Sequence, residues 1–114
     1  MVDDSEDNQH LLTSLFFAQG WKAYSAINGR DALLLLRELS QLPDLILLDA
    51  EMPIMNGFDF RREQRKDKRL KNIPVVVMSG NDELDLFSKM LRPKGILSKP
   101  FKVQSLVNQV SEFL

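Results

Sequence analysis

The stretch Leu45-Ile46-Leu47-Leu48-Asp49, with the loop Ala50-Glu51-Met52-Pro53-Ile54-Met55-Asn56-Gly57 behind it, decides the fold. Four aliphatic residues ending on a carboxylate read as a strand buried on both faces, the mark of a parallel sheet. Three more apolar runs stop on polar residues in the same way. Met1-Val2 leads into Asp3-Asp4, Val75-Val76-Val77-Met78 into Ser79, and Ile96-Leu97-Ser98 into Lys99. In an open parallel sheet, ligands bind in the crevice at the carboxyl ends of the strands. If the four runs are neighbours, carboxylates, a hydroxyl and an ammonium converge on one pocket, suited to a small hard cation and a phosphoryl group.

Helical patterns alternate with these runs. Ser5 to Gly20 reads as a helix with Leu11, Leu12, Leu15 and Phe16 on one face, Ser5 or Asp7 as N-cap and Gly20 as its stop. Trp21 to Ile27 alternates and carries β-formers, so a strand is expected there, with Asn28-Gly29 as a turn. Helices are expected over Arg30 to Ser40, Phe58 to about Lys68, Asp82 to Met90 and Val103 to Leu114. The order β-α five times over predicts an α/β fold: a single doubly wound five-stranded parallel sheet with helices on both faces. Only Met1 and Val2 precede the acidic pair, so the first strand is expected to be unusually short. Either residues precede Met1 in the natural product, or the strand is short and the domain weakened, or a partner covers the gap.

The chain has 114 residues, 44% hydrophobic, a formal net charge of -1 and no cysteine. One domain over residues 1–114 is expected, without an output domain. Disulfides, thiolate metal sites and cysteine nucleophiles are excluded. No apolar stretch approaches the ~20 residues of a membrane span, and no secretion signal is visible, so a cytoplasmic protein without a membrane partner is expected. Near-neutral charge gives no bulk attraction to nucleic acid. The cationic run Arg61 to Lys71 is relieved by Glu63 and Asp67 and reads as a solvated face; direct nucleic-acid binding is not expected. No glycine-rich nucleotide motif occurs.

The pocket residues suit phosphoryl chemistry. Asp49 is the candidate nucleophile, since a carboxylate can form an acyl phosphate. Both reactants are anionic, so charge neutralisation governs the reaction. Asp3, Asp4 and Asp49 offer hard oxygens that favour magnesium. Ser79 offers a hydroxyl donor and Lys99 a positive charge. Taken singly, each has an ordinary reading: a solvated acidic pair, a loop cap, a turn serine, a surface lysine.

Together these segments resemble the receiver domain of two-component response regulators, over essentially the whole chain. Val2-Asp3-Asp4-Ser5-Glu6-Asp7 resembles the acidic opening motif, Leu48 to Gly57 the phosphoacceptor loop, Met78-Ser79-Gly80 the switch hydroxyl motif, and Ser98-Lys99-Pro100-Phe101 the lysine-proline motif. The resemblance implies the strand order 2-1-3-4-5. It implies that Asp49 takes a phosphoryl group from a phosphohistidine on a histidine kinase or histidine phosphotransfer protein. Asp4, Asp49 and the backbone carbonyl of Glu51 would ligate Mg2+, with Asp3 assisting through water. Ser79 and Lys99 would hold the phosphoryl group. A downstream protein would be met through the face made by the fourth helix, last strand and fifth helix. The domain would assist its own phosphorylation and dephosphorylation and would not be a turnover enzyme. Two departures stand out: Ile96 occupies a position where the family carries an aromatic ring, and Glu51 and Asn81 fall where phosphoryl lifetime is tuned. The alternatives are a phosphorylation-independent interaction module with a receiver fold, and an aspartyl-phosphate hydrolase for which Glu51 would be the second acid.

Overall fold

The computed structural model describes residues 1–3, 5–49, 57–79, 93–98 and 102–114. Three strands form a parallel sheet: β1 (Ile46–Asp49), β2 (Val75–Ser79) and β3 (Gly95–Ser98), in the order β1-β2-β3. The register is unbroken, pairing Ile46 with Val75, Asp49 with Met78, Val76 with Gly95 and Ser79 with Ser98. Val2 lies on the other side of β1 and makes isolated parallel bridges to Leu48 and Ala26. The fold is thus the parallel α/β arrangement expected.

Trp21 to Ile27 is not a strand. Within it only Ala26 bridges, to Val2. Strand pairing needs a partner as long as the segment, and Met1 and Val2 reach no further back than the Met1 amine, which donates to the Tyr24 carbonyl at 2.8 Å. Asn28-Gly29 is likewise a helix start: the Asn28 side chain accepts the Asp31 N–H at 2.9 Å and caps α2 (Gly29–Glu38). The helix expected over Asp82 to Met90 lies outside the described residues, as does the expected loop Pro53 to Gly57 except for Gly57, which begins a helix instead of closing a turn.

Side chains alternate along the strands and divide the core into two layers. Ile46, Leu48, Val75 and Val77 pack with Ala32, Leu33 and Leu36 of α2 and Phe60 of α3 (Gly57–Lys66). Leu47, Val76, Met78 and Leu97 pack with Leu12 and Phe16 of α1 (Glu6–Ala18) and with Leu106 and Val110 of the C-terminal helix (Val103–Ser111). Helices therefore cover both faces of the sheet.

Two local devices fix the helices. Gly20 ends α1 with φ +81°, the left-handed conformation glycine adopts without a Cβ penalty. The Trp21 N–H donates to Phe16 O and the Gly20 N–H to Phe17 O, a double closure of the last carbonyls. The Trp21 ring then packs on Phe16, with centroids 5.9 Å apart. At the end of α2, the Arg69 guanidinium donates to the carbonyls of Leu36, Arg37 and Leu39.

Gln64 holds the turn between α3 and β2. Its side chain is wholly buried, donates to Leu70 O at 3.0 Å and Ile73 O at 3.1 Å, and accepts from Arg61 Nη1 at 2.8 Å. Gln64→Leu removes one donor from each of the buried Leu70 and Ile73 carbonyls, Leu70 O keeping the Ile73 N–H, at a cost of about 2 kcal/mol. A lower urea midpoint with an unchanged slope is the expected result.

The Met1 amine sits beside an apolar cleft of about 270 Å³ lined by, among others, Trp21, Leu36, Leu39, Leu42, Ile46 and Val110. Burial lowers its pKa from 8.0 to about 6, against the raising effect of Asp3. The unfolded chain therefore binds more protons between those values, and stability rises as pH goes from 6 to 8. Urea midpoints across that range should climb in this chain and lose the climb when the Met1 nitrogen is acetylated.

Candidate functional site

Of the residues singled out in the sequence, Asp3, Asp49 and Ser79 lie along the carboxyl edge of the sheet. Asp49 ends β1, Ser79 ends β2 and Ser98 ends β3. The parallel register brings Ser79 level with Ser98 and one residue beyond the Asp49–Met78 pair. Val2 bridges Leu48, so Asp3 and Asp49 each stand one residue past that bridge at adjacent strand ends. Both aspartates are buried, Asp3 at 1% exposure and Asp49 at 4%. Two buried carboxylates at neighbouring strand ends are a costly arrangement unless their charge is compensated.

Backbone contacts lock this edge. The Val2 N–H donates to Leu47 O at 2.8 Å, the Asp49 N–H to Val2 O at 2.9 Å and the Asp3 N–H to Ala26 O at 3.0 Å. Asp3 Oδ1 accepts the Ser5 N–H at 2.9 Å, which orients its side chain and closes the turn into α1. α1 begins at Glu6, so its N-terminal end faces the same edge, where the helix dipole favours anions.

Asp4, Glu51 and Lys99 lie outside the described residues, as do the side chains of Ser79 and Ser98. The lysine-proline bond before Pro100 lies outside them too. Among the described residues no three His, Cys, Asp or Glu side chains gather around one point; Asp3 and Asp49 are the two carboxylates of this edge. Their oxygens are hard donors in a buried, anionic setting, and fit a small divalent cation such as Mg2+ better than a soft metal.

The sequence did not single out Gln9. Its Nε2 donates to Asp3 O at 2.6 Å and to Ala26 O at 2.8 Å. A polar residue in the first helix has no periodic signature that separates a solvent-facing glutamine from one turned inward to backbone carbonyls.

Parallel strands with helices on both faces, and carboxylates at the strand ends, define an open α/β module whose ligand edge is the carboxyl edge. A family model for the response regulator receiver domain matches residues 1–111. The chain belongs to that family. Its whole length aligns at 32% identity with 94% of the protein PilH of Pseudomonas aeruginosa. It aligns at 31% with 90% of sporulation initiation phosphotransferase F of Bacillus subtilis. The structure of chemotaxis protein CheY4 of Vibrio cholerae is similar with a TM-score of 0.87 and 27% identity, over 99% of this chain and 94% of that one. The chain is thus a receiver domain of two-component and phosphorelay signalling, a family of switches and not of classical turnover enzymes. Among the described residues no helix is long and apolar enough to cross a membrane.

Proposed function

We propose that the chain is a phospho-accepting switch, with Asp49 as the acceptor. An Asp49 carboxylate oxygen attacks the phosphorus of a phosphohistidine on a histidine kinase or histidine phosphotransfer protein. The P–N bond breaks, the imidazole leaves with a proton, and an acyl phosphate forms on Asp49. The observation that carries this reading is the burial of Asp49 beside Asp3 at the carboxyl edge of β1.

Asp3, Asp4, Asp49 and the Glu51 carbonyl are the residues that would hold Mg2+, which when bound supplies positive charge for the incoming phosphoryl oxygens. Ser79 donates its hydroxyl to one of those oxygens, and Lys99 offers its ammonium to another. The bridges of Val2 to Ala26 and to Leu48 support the five-segment order 2-1-3-4-5, with the Val2 segment central. The chain acts as a receiver domain in the cytoplasm. New charge on Asp49 shifts a conformational equilibrium that a downstream protein reads at the face of the fourth helix, last strand and fifth helix.

Incubation with acetyl phosphate and Mg2+, followed by intact mass and hydroxylamine lability, tests this. One labile phosphoryl group per chain, removed by chelator during loading, is the expected result. No adduct from acetyl phosphate, together with none from any phosphohistidine donor, favours the interaction module.

A further inference from the structure

Gln9 occupies an unusual place in the hydrogen-bonding of the acidic edge. Its Nε2 lies 2.6 Å from Asp3 O and 2.8 Å from Ala26 O. Ala26 O also accepts the Asp3 N–H at 3.0 Å. One side-chain amide thus closes a ring through both backbone groups of Asp3. The Asp3 side chain is set separately, through the Ser5 N–H.

Strand pairing alone leaves this point weakly held. Val2 is an isolated bridge residue, and no ladder continues past it toward the acidic pair. Elsewhere in the sheet, β1, β2 and β3 hold their ends by four-residue ladders. The first segment shows no such ladder among the described residues, and a side chain from α1 adds a second cross-link to Ala26 O beside the Asp3 N–H.

We propose that Gln9 is a positioning residue for the cation site: by clamping the Asp3 backbone to Ala26 it holds Asp3 in the geometry that binds Mg2+. This rests on the reading of the carboxyl edge as a magnesium site. Magnesium demands near-ideal octahedral geometry, so small displacements of its carboxylates lower affinity steeply. Partners that orient metal ligands commonly change affinity by about 10–100-fold when removed. Gln9 makes no contact with the phosphoryl group in this scheme, and its effect acts through Asp3.

The experiment is a magnesium titration of the full chain, followed by NMR shifts of the Asp3 and Asp49 amides, with a urea midpoint recorded for each variant. Gln9→Met keeps the side-chain length and removes both donors. Gln9→Asn keeps the amide but is one methylene too short to span both carbonyls, and serves where Gln9→Met folds poorly. Gln104→Met, at an exposed position of the C-terminal helix, is the control. The expected result is magnesium affinity lowered about tenfold in both Gln9 variants, measured on protein that is folded, and unchanged in the control. Tight binding by wild type with equal affinity in the folded Gln9 variants overturns the positioning role and leaves the magnesium site standing. No saturable binding by wild type overturns the site itself, and this proposal with it.

Discussion

Replacing Asp49 with asparagine should abolish phosphoryl uptake while leaving the fold intact. The amide matches the carboxylate in size, so the buried end of β1 keeps its packing. It cannot form the acyl phosphate, because its oxygen is a far weaker nucleophile and bears no charge. With acetyl phosphate and Mg2+, wild type should acquire one hydroxylamine-labile phosphoryl group and Asp49→Asn none, a loss of at least about a thousandfold in rate if the carboxylate is the nucleophile. Beryllofluoride, which mimics the phosphoryl group, should perturb the amides of Asp49 and Ser79 in wild type only. Substoichiometric modification persisting in Asp49→Asn would move the acceptor elsewhere. Continuous phosphate release over many turnovers by wild type would instead favour a hydrolase.

A second large effect is expected from adding three aliphatic residues ahead of Met1. The cleft beside Met1 is lined by apolar side chains, and the strand edges around it continue the hydrogen-bonding pattern of Val2. Val2 N–H reaches Leu47 O, and Asp49 N–H reaches Val2 O. In a parallel pairing the next residue back would donate to Leu45 O and accept from Leu47 N–H. On the other side the Met1 nitrogen already bonds the Tyr24 carbonyl as a strand amide would. Each aliphatic buried there contributes ~1.5–3 kcal/mol against ~1–2 kcal/mol for ordering the backbone, a surplus of roughly 1 kcal/mol per residue and about 3 kcal/mol for three. A Val-Ile-Val extension should raise the urea midpoint strongly, convert the charged amine to a neutral amide and flatten the pH 6–8 slope. A Ser-Asn-Ser extension should do the last of these without the first. Equal midpoints for the two extensions would mean that the cleft does not take a strand.

The layered α/β plan was legible in the sequence because β1 and β2 are continuous aliphatic runs, which only a sheet covered on both faces accommodates. The strand-end positions of Asp49 and Ser79 were legible for the same reason: each follows such a run directly, and each ends its strand in the structure. Trp21 to Ile27 misled because its alternation and β-formers describe a strand's intrinsic preference, and pairing depends on a neighbour that Met1-Val2 is too short to supply. Asn28-Gly29 misled because asparagine serves hairpin turns and helix caps alike, and only the Asp31 N–H above it distinguishes them. Gln9 and Gln64 were invisible because both act on backbone carbonyls brought near by tertiary folding.

The Arg69 contacts bear on how the basic segment from Arg61 to Lys71 should be dissected. A charge-neutralising scan through that segment would be read naturally as a map of partner contacts. Arg69 closes the open carbonyl end of α2, and Arg61 holds the amide of Gln64. Alanine at either position would loosen the scaffold between α2 and β2, and any loss of association measured there would report unfolding. Arg65, Lys68 and Lys71 are exposed, and are positions where such a scan is interpretable; Arg62 and Lys66 are exposed too but pair with Asp59 and Glu63.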